Sequence, residues 1–214
     1  MMRKLCVIAV HPDDETLGCG GTILKHINAG DEVYCIFVTG GNEEQSKLIK
    51  VVSEYYKFTK THTLDLPELK LSDISLNVII PMISKIFNEI QPDTLFIPNR
   101  SDVHSDHRAV FDAVFSCTKS FRYPFIERIF MMEVISETDF APALNDAAFI
   151  PNYFVDITDT FKHKAEILGI YGSELLDYPN TRNINTMESL NRYRGSQIGT
   201  EYAEAFVALK MIER

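Results

Sequence analysis

The sequence predicts an α/β fold, a three-layer α/β/α sandwich around a mostly parallel sheet. Two observations predict it. Short continuous apolar runs, as expected of strands covered on both faces, alternate with segments of helical periodicity through residue 118. With 214 residues, 45% of them hydrophobic, the chain also has the material for one large core. Regular alternation of this kind implies right-handed crossovers that place helices on both faces of the sheet. No composition shift, Gly/Ser linker or internal repeat marks a boundary, so residues 1–214 read as one domain.

LCVIAV (5–10) is the first strand, and TLGCGGTILKHINAG (16–30) a helix closed by Gly30. VYCIFVTGG (33–41) is a second strand ending in glycines, followed by a helix over EEQSKLIKVVSEYYKF (43–58). HTLDLP (62–67) reads as a third strand, and NVIIPMISKIFNEI (77–90) as a helix that stops just before Pro92. TLFIP (94–98) is the next strand; it leads through the polar loop NRSDVHSDH into a helix over HRAVFDAVFSCT (107–118). In the second half, RIFMMEVI (128–135) and YFVDIT (153–158) read as strands, and 160–171 and 188–212 as helices. The arrangement is Rossmann-like.

Charge and cysteine usage narrow the function. The balance of 21 basic and 30 acidic residues gives a formal charge of -9, spread without long single-sign blocks. Such a chain has no basic footprint for nucleic acid or an anionic membrane. Cys6, Cys19, Cys35 and Cys117 lie far apart with no CxxC pair, which fits a reducing cytosol, so a cytoplasmic location is expected. The apolar run at the N-terminus breaks at His11, too short for a signal peptide, and no window approaches the roughly 18 to 20 apolar residues of a membrane span.

Chemistry concentrates at two strand ends. In an open parallel sheet, ligands bind outside the carboxyl ends of the strands. His11 directly follows the first strand, and Pro12 keeps it extended while the chain turns behind it. His11 and Asp14, three apart across that turn, can aim an imidazole and a carboxylate at one point. The HSDH segment brings His104 and His107 to the same sheet edge, either of which can complete the set. Two imidazoles and a carboxylate with one open position is the ligand set of a catalytic zinc. Helix capping is the competing explanation, since Asp13 and Asp14 are good N-caps and Glu15 suits a first helical turn. Capping does not account for three histidines and several surplus acids at one edge.

Other motifs fall away. Gly18, Gly20 and Gly21 would need a further glycine at Ile23 to make GxGxxG, and no GxxxxGK[ST], HExxH or GxSxG is present. Cys19 in a Gly-rich helix reads as a small buried residue rather than a nucleophile. His26, His62 and His163 stand alone on helix or strand patterns.

AVHPDDETLGCGGTI and PNRSDVHSDHRAV together resemble the PIG-L/LmbE-like family of zinc-dependent de-N-acetylases, which pairs an HPDDE block with a downstream D-x-H-x-D-H block, here Asp102, His104, Asp106 and His107. FVDITDTFKHKAEIL (154–168) and RGSQIGTEYAEAF (194–206) are similar to the family's later blocks, so the resemblance covers nearly the whole chain. It departs in the second helix, where lysines stand in place of an Arg-x-x-Glu, and at Ser173-Glu174 in place of Ser-Gln; these positions bear on substrate.

The resemblance implies that His11, Asp14 and His107 hold a zinc ion, with Asp13 as general base, His104 stabilising the oxyanion and Asp106 orienting His104. A zinc ion supplies a nucleophile at neutral pH, and Asp13 moves the water's proton to the departing nitrogen. Asp106 is expected to keep His104 protonated. The implied reaction hydrolyses the acetamide of an N-acetylated amino sugar or its conjugate, a small molecule, and similar proteins form homo-oligomers. Two alternatives stay open: another metal-dependent amide or phosphoester hydrolase, and a non-catalytic sugar-binding protein of the same fold.

Overall fold

The computed structural model describes residues 2–213. Strands β1 (Lys4–Ala9), β2 (Glu32–Phe37), β3 (Lys60–Thr63), β4 (Thr94–Ile97) and β5 (Arg128–Met132) pair in parallel, and β6 (Tyr153–Asp156) and β7 (Ala203–Met211) join antiparallel, in the order β3-β2-β1-β4-β5-β7-β6. The order reverses at β1, which pairs with β2 on one side and β4 on the other. That reversal is the switch point where an open α/β sheet offers a crevice.

Alternation along β1 divides the core. Leu5, Val7 and Ala9 pack into one apolar layer with residues of α1 (Asp14–Asn28), α2 (Glu43–Tyr56) and α5 (Phe161–Ile170). Cys6, Ile8 and Val10 face the opposite layer, built with α3 (Leu76–Ile90) and α4 (Ser105–Ser116). Both sides of β1 are therefore dry, which is why its sequence is continuously apolar rather than alternating.

Helix α1 is two helical pieces end to end. Cys19 leaves helical geometry (φ -151°, ψ 23°), and the polar groups freed at the break find charged partners from the C-terminal part of the chain. The Glu204 carboxylate accepts from Gly21 N–H (2.9 Å) and Thr22 N–H (2.8 Å), while Lys164 Nζ donates to Leu17 O (3.0 Å) and to Glu204 Oε1 (2.7 Å). Lys164 and Glu204 are fully or almost fully buried. Such a pair persists in the interior because each charge is matched and hydrogen-bonded. Gly21 is required here, since a Cβ would approach Ile157 to 2.7 Å. The break lets α1 begin at the crevice and still pack along β7.

The helix expected over 188–212 is corrected. Helix α6 (Ile184–Ser196) ends, Gly199 turns the chain at φ 77°, and AEAFVALKM forms β7. Ala, Glu, Leu, Lys and Met all favour helix, but β7 fills the gap between β5 and β6, where its backbone hydrogen bonds and the buried Ala203, Ala205 and Phe206 outweigh propensity. The strand expected at 62–67 lies earlier, at Lys60–Thr63, although Leu64 N–H and Leu66 N–H still pair with Phe37 O and Val38 O.

Candidate active site

Two loops meet at the switch point. Beyond β1, His11 N–H donates to Asp14 Oδ2 (2.8 Å) and Asp14 N–H to His11 O (3.3 Å), so the HPDD turn closes on itself. Asp13 has φ 135°, a backbone conformation that L residues rarely adopt and that costs about 1–3 kcal/mol. No side-chain cap hydrogen bond forms from Asp13 to α1. Glu15 is not a solvated first-turn acid either: it is buried, and its carboxylate accepts from Thr16 Oγ1 (2.6 Å), Tyr171 OH (2.9 Å) and Asp13 N–H (3.2 Å).

Beyond β4, Asp102 is the pivot. Its Oδ1 accepts from Asn99 Nδ2 (3.0 Å) and Thr138 Oγ1 (2.8 Å), and its Oδ2 lies 2.8 Å from His107 Nδ1. His104 caps α4, its Nδ1 accepting from Asp106 N–H (3.1 Å).

One donor atom from each of His11, Asp14 and His107 falls within 4.8 Å of the others, so the three side chains named from sequence do converge. His107 Nε2 is 3.3 Å from Asp14 Oδ2, and His11 Nδ1 is 3.8 Å from the same oxygen. Two features suit a metal. His107 Nε2 is buried without a hydrogen bond, although buried polar atoms rarely go unpaired. His107 Nδ1 is held by a carboxylate, the outer partner that fixes the tautomer of a ligating histidine. The donor set of two imidazoles and a carboxylate fits zinc.

The charges around this point are strongly perturbed. Burial opposes a charge on His107, but the Asp14 and Asp102 carboxylates outweigh it and lift its pKa to about 10. Asp14 is buried too, yet His107 and His11 hold its carboxyl below the usual carboxylate range. Asp13 goes the other way: burial, then the charge of Asp14, pushes its pKa well above the ordinary value despite the opposing pull of Arg182. Two adjacent carboxylates thus have opposite tendencies, one to stay ionised and one to take a proton.

Two expectations are corrected. His104 is not kept protonated: burial and the neighbouring His11 and His107 lower its pKa, outweighing the Asp106 charge. Because Nδ1 accepts a backbone hydrogen bond, the proton of the neutral ring sits on Nε2. Asp106 contacts His104 through its backbone N–H, whereas its carboxylate accepts from Leu69 N–H (2.7 Å) and Leu71 N–H (3.0 Å) and lies 3.3 Å from His11 Nε2.

Arg182 is the residue that sequence reasoning missed. From the loop before α6 its Nη1 reaches to 3.6 Å of Asp13 Oδ2, while Nε donates to Ser136 Oγ (2.8 Å) and Nη2 to Glu137 Oε1 (2.9 Å). It sits in YPNTRN, a polar stretch without periodicity, so no local signal marks it. Cys19 is buried with its thiol pushed well above the usual range, chiefly by burial, which removes it as a nucleophile.

The family model described as PIG-L, GlcNAc-PI de-N-acetylase, matches residues 6–118. The diacetylchitobiose deacetylase of Thermococcus kodakarensis is 22% identical over 95% of this chain and 82% of its own. A 43-residue stretch is 44% identical to the 1D-myo-inositol 2-acetamido-2-deoxy-alpha-D-glucopyranoside deacetylase of Tsukamurella paurometabola; it spans 20% of this chain and only 14% of that protein. Among solved structures, a conserved protein of Thermus thermophilus superposes with a TM-score of 0.80 (23% identity, 100% and 97% of the two chains). The N,N'-diacetylchitobiose deacetylase of Pyrococcus horikoshii follows with 0.76 (22%, 97% and 84%). At such identities the likeness carries the fold alone. A 4-carboxy-2-hydroxymuconate hydratase of Pseudomonas putida also has this fold, with a TM-score of 0.75 at 13% identity over 100% and 99% of the chains, so the reaction has to be argued from the site.

Proposed function

The chain belongs to the PIG-L family of de-N-acetylases, hydrolases that act on amide bonds, and from that premise we propose that it hydrolyses the acetamide of an N-acetylated amino sugar or its conjugate in a zinc-dependent reaction. The observation that carries this reading is the convergence of His11, Asp14 and His107 beside an Asp13 carboxylate whose pKa is raised. Glycan N-acetyl groups are also the substrates named for the diacetylchitobiose deacetylases, which supports a small neutral sugar over other amides.

His11, Asp14 and His107 would hold the zinc, with Asp102 fixing the His107 ring. Bound there, the ion supplies carbonyl polarisation and a water of pKa near about 7. Asp13 takes the proton of the attacking water and passes it to the nitrogen that leaves, a role suited to a carboxylate whose pKa lies above its ordinary value. His104, neutral and carrying its proton on Nε2, donates to the oxygen that becomes negative as the carbonyl is attacked, worth roughly 3–4 kcal/mol in comparable sites. Asp106 orients His104 through the backbone N–H and fixes the segment at Leu69 and Leu71 through its carboxylate. Arg182, clamped by Ser136 and Glu137, holds the Asp13 side chain in place.

No helix among the described residues is long and apolar enough to cross a membrane, and the four unpaired, buried cysteines fit a cytosolic location. The test is release of a primary amine and acetate from diacetylchitobiose and from N-acetylglucosamine glycosides, with and without a chelator. Zinc-dependent amine release is expected. Protein that binds zinc but leaves every N-acetyl sugar intact would sink the proposal.

A further inference from the structure

The segment between α5 and α6 walls the crevice beside Asp13, and it carries a carboxylate that the proposed reaction does not use. Glu174 is tied to the catalytic turn from both sides. Its N–H donates to Tyr171 O (2.8 Å), closing the turn that ends α5, and the Tyr171 hydroxyl donates to Glu15 Oε1 (2.9 Å) at the start of α1. Two residues after Glu174, Leu176 N–H donates to Arg182 O (2.9 Å), and the Arg182 guanidinium comes within 3.6 Å of Asp13 Oδ2.

The charge of Glu174 is not spent. No hydrogen bond or ion pair among the described residues engages its half-buried carboxylate. Arg182, the cation on this wall, is already matched by Glu137 (2.9 Å) and Asp13. Glu174 is felt by both members of the Arg182–Asp13 pair. After burial, Asp14 and Glu15 it adds to the upward push on Asp13, and with Asp13, Asp14 and Glu137 it outweighs burial in raising the pKa of Arg182. Asp13, Glu137 and Glu174 thus face one guanidinium, and the wall carries surplus negative charge.

We propose that Glu174 is a specificity-determining residue, whose carboxylate admits amino sugars that are uncharged beside the acetamide and turns away those with a phosphate or carboxylate on the neighbouring carbon. The inference rests on the deacetylase reading and narrows its substrate class. Asp13 serves the acetamide nitrogen, so the substituent on the adjacent anomeric carbon comes next to the wall that holds Glu174. A hydroxyl there can donate to the carboxylate. An anion there meets a like charge with no uncommitted cation on that wall, and such a juxtaposition rejects a competitor without adding any contact to the accepted ligand. The Arg182 side chain is 27% exposed, so a ligand reaches this wall without moving the core.

The test compares wild type with Glu174→Gln, which exchanges the charge for an amide of the same shape. Amine release is followed from methyl N-acetylglucosaminide and from N-acetylglucosamine 1-phosphate. Affinity is read separately by isothermal titration of zinc-loaded protein with the two deacetylated sugars, which cannot turn over. Wild type is expected to favour the neutral sugar in both measurements. Glu174→Gln is expected to bind the phosphate about threefold to tenfold more tightly at low salt, with the neutral sugar within about twofold and zinc content unchanged. Near about 0.5 M salt that gain should shrink. Wild type that prefers the phosphate, a variant that leaves its affinity unmoved or shifts both sugars equally, or failure to bind either sugar would overturn the proposal. A shifted affinity ratio with no amine released from either substrate would uphold Glu174 and sink the proposed reaction.

Discussion

His107 Nδ1 and Asp102 Oδ2 are 2.8 Å apart, both side chains fully buried, and Asp102 is itself held by Asn99 and Thr138. This pair makes His107 a fixed ligand rather than a mobile one, because the ring can neither flip nor change tautomer without stranding a buried carboxylate. Asp102→Asn is therefore expected to lower zinc affinity about 10- to 100-fold while the fold persists, measured by competition with a zinc chelator. Unchanged affinity would show that the ring needs no anchor.

The raised pKa of His107, about 10, makes zinc uptake a proton exchange. Below that value the metal-free protein carries a proton on His107 that the ion displaces, so apparent affinity is expected to rise about tenfold per pH unit through the neutral range. Isothermal titration in buffers of different ionisation enthalpy reads the released proton directly. The same shift has a sign for stability: the pKa is raised above its unfolded value near 6.5, so His107 stabilises metal-free protein below about pH 6.5 and the contribution is lost towards pH 10.

Asp13 and Asp14 are neighbours with separable roles. Asp13→Asn is expected to keep zinc and lose about 10²- to 10⁴-fold in kcat, the range for a positioned general base. Asp14→Ala is expected to lose the metal as well. Metal analysis beside turnover distinguishes them, and an Asp13→Asn protein retaining most of the wild-type rate would remove Asp13 as the base.

Arg182 offers a test that local sequence did not suggest. Its guanidinium is clamped by Ser136 and Glu137 at one end and faces Asp13 at the other. Arg182→Ala is expected to lower kcat about tenfold or more with zinc content unchanged, and Arg182→Lys to restore only part, since an ammonium cannot reproduce the three-way fork. Equal loss of zinc and activity would reassign Arg182 to holding the site together.

Glu15 reports on the crevice floor. Burial raises its pKa to about 7, above an unfolded value near 4.3. The folded state thus binds a proton that the unfolded chain has lost, and stability is expected to fall as pH rises from about 4.3 to 7, by on the order of 3 kcal/mol. Glu15→Gln should flatten that part of the denaturation profile; an unchanged slope would locate it in another group.

The strand–helix order through α4, the dry central strand and the six side chains of the crevice were legible in the amino-acid sequence, because continuous apolar runs, helical periodicity and dense polar clusters are local signals. A parallel sheet puts the carboxyl ends of β1 and β4 at one edge, whereas their being neighbours, which brings His11, Asp14 and His107 together, is set by the strand order of the folded chain. Tertiary structure decided what local signals do not encode. Between β5 and β6 the helix formers of AEAFVALKM become a strand, since pairing both backbone edges is worth more than propensity. The neutral state of His104 follows from burial and neighbouring rings, and Asp106 turns its carboxylate to His11, Leu69 and Leu71. Arg182 meets Asp13 across 169 positions of sequence. Charge pairing and desolvation depend on distances between segments remote in sequence, so only the folded chain sets them.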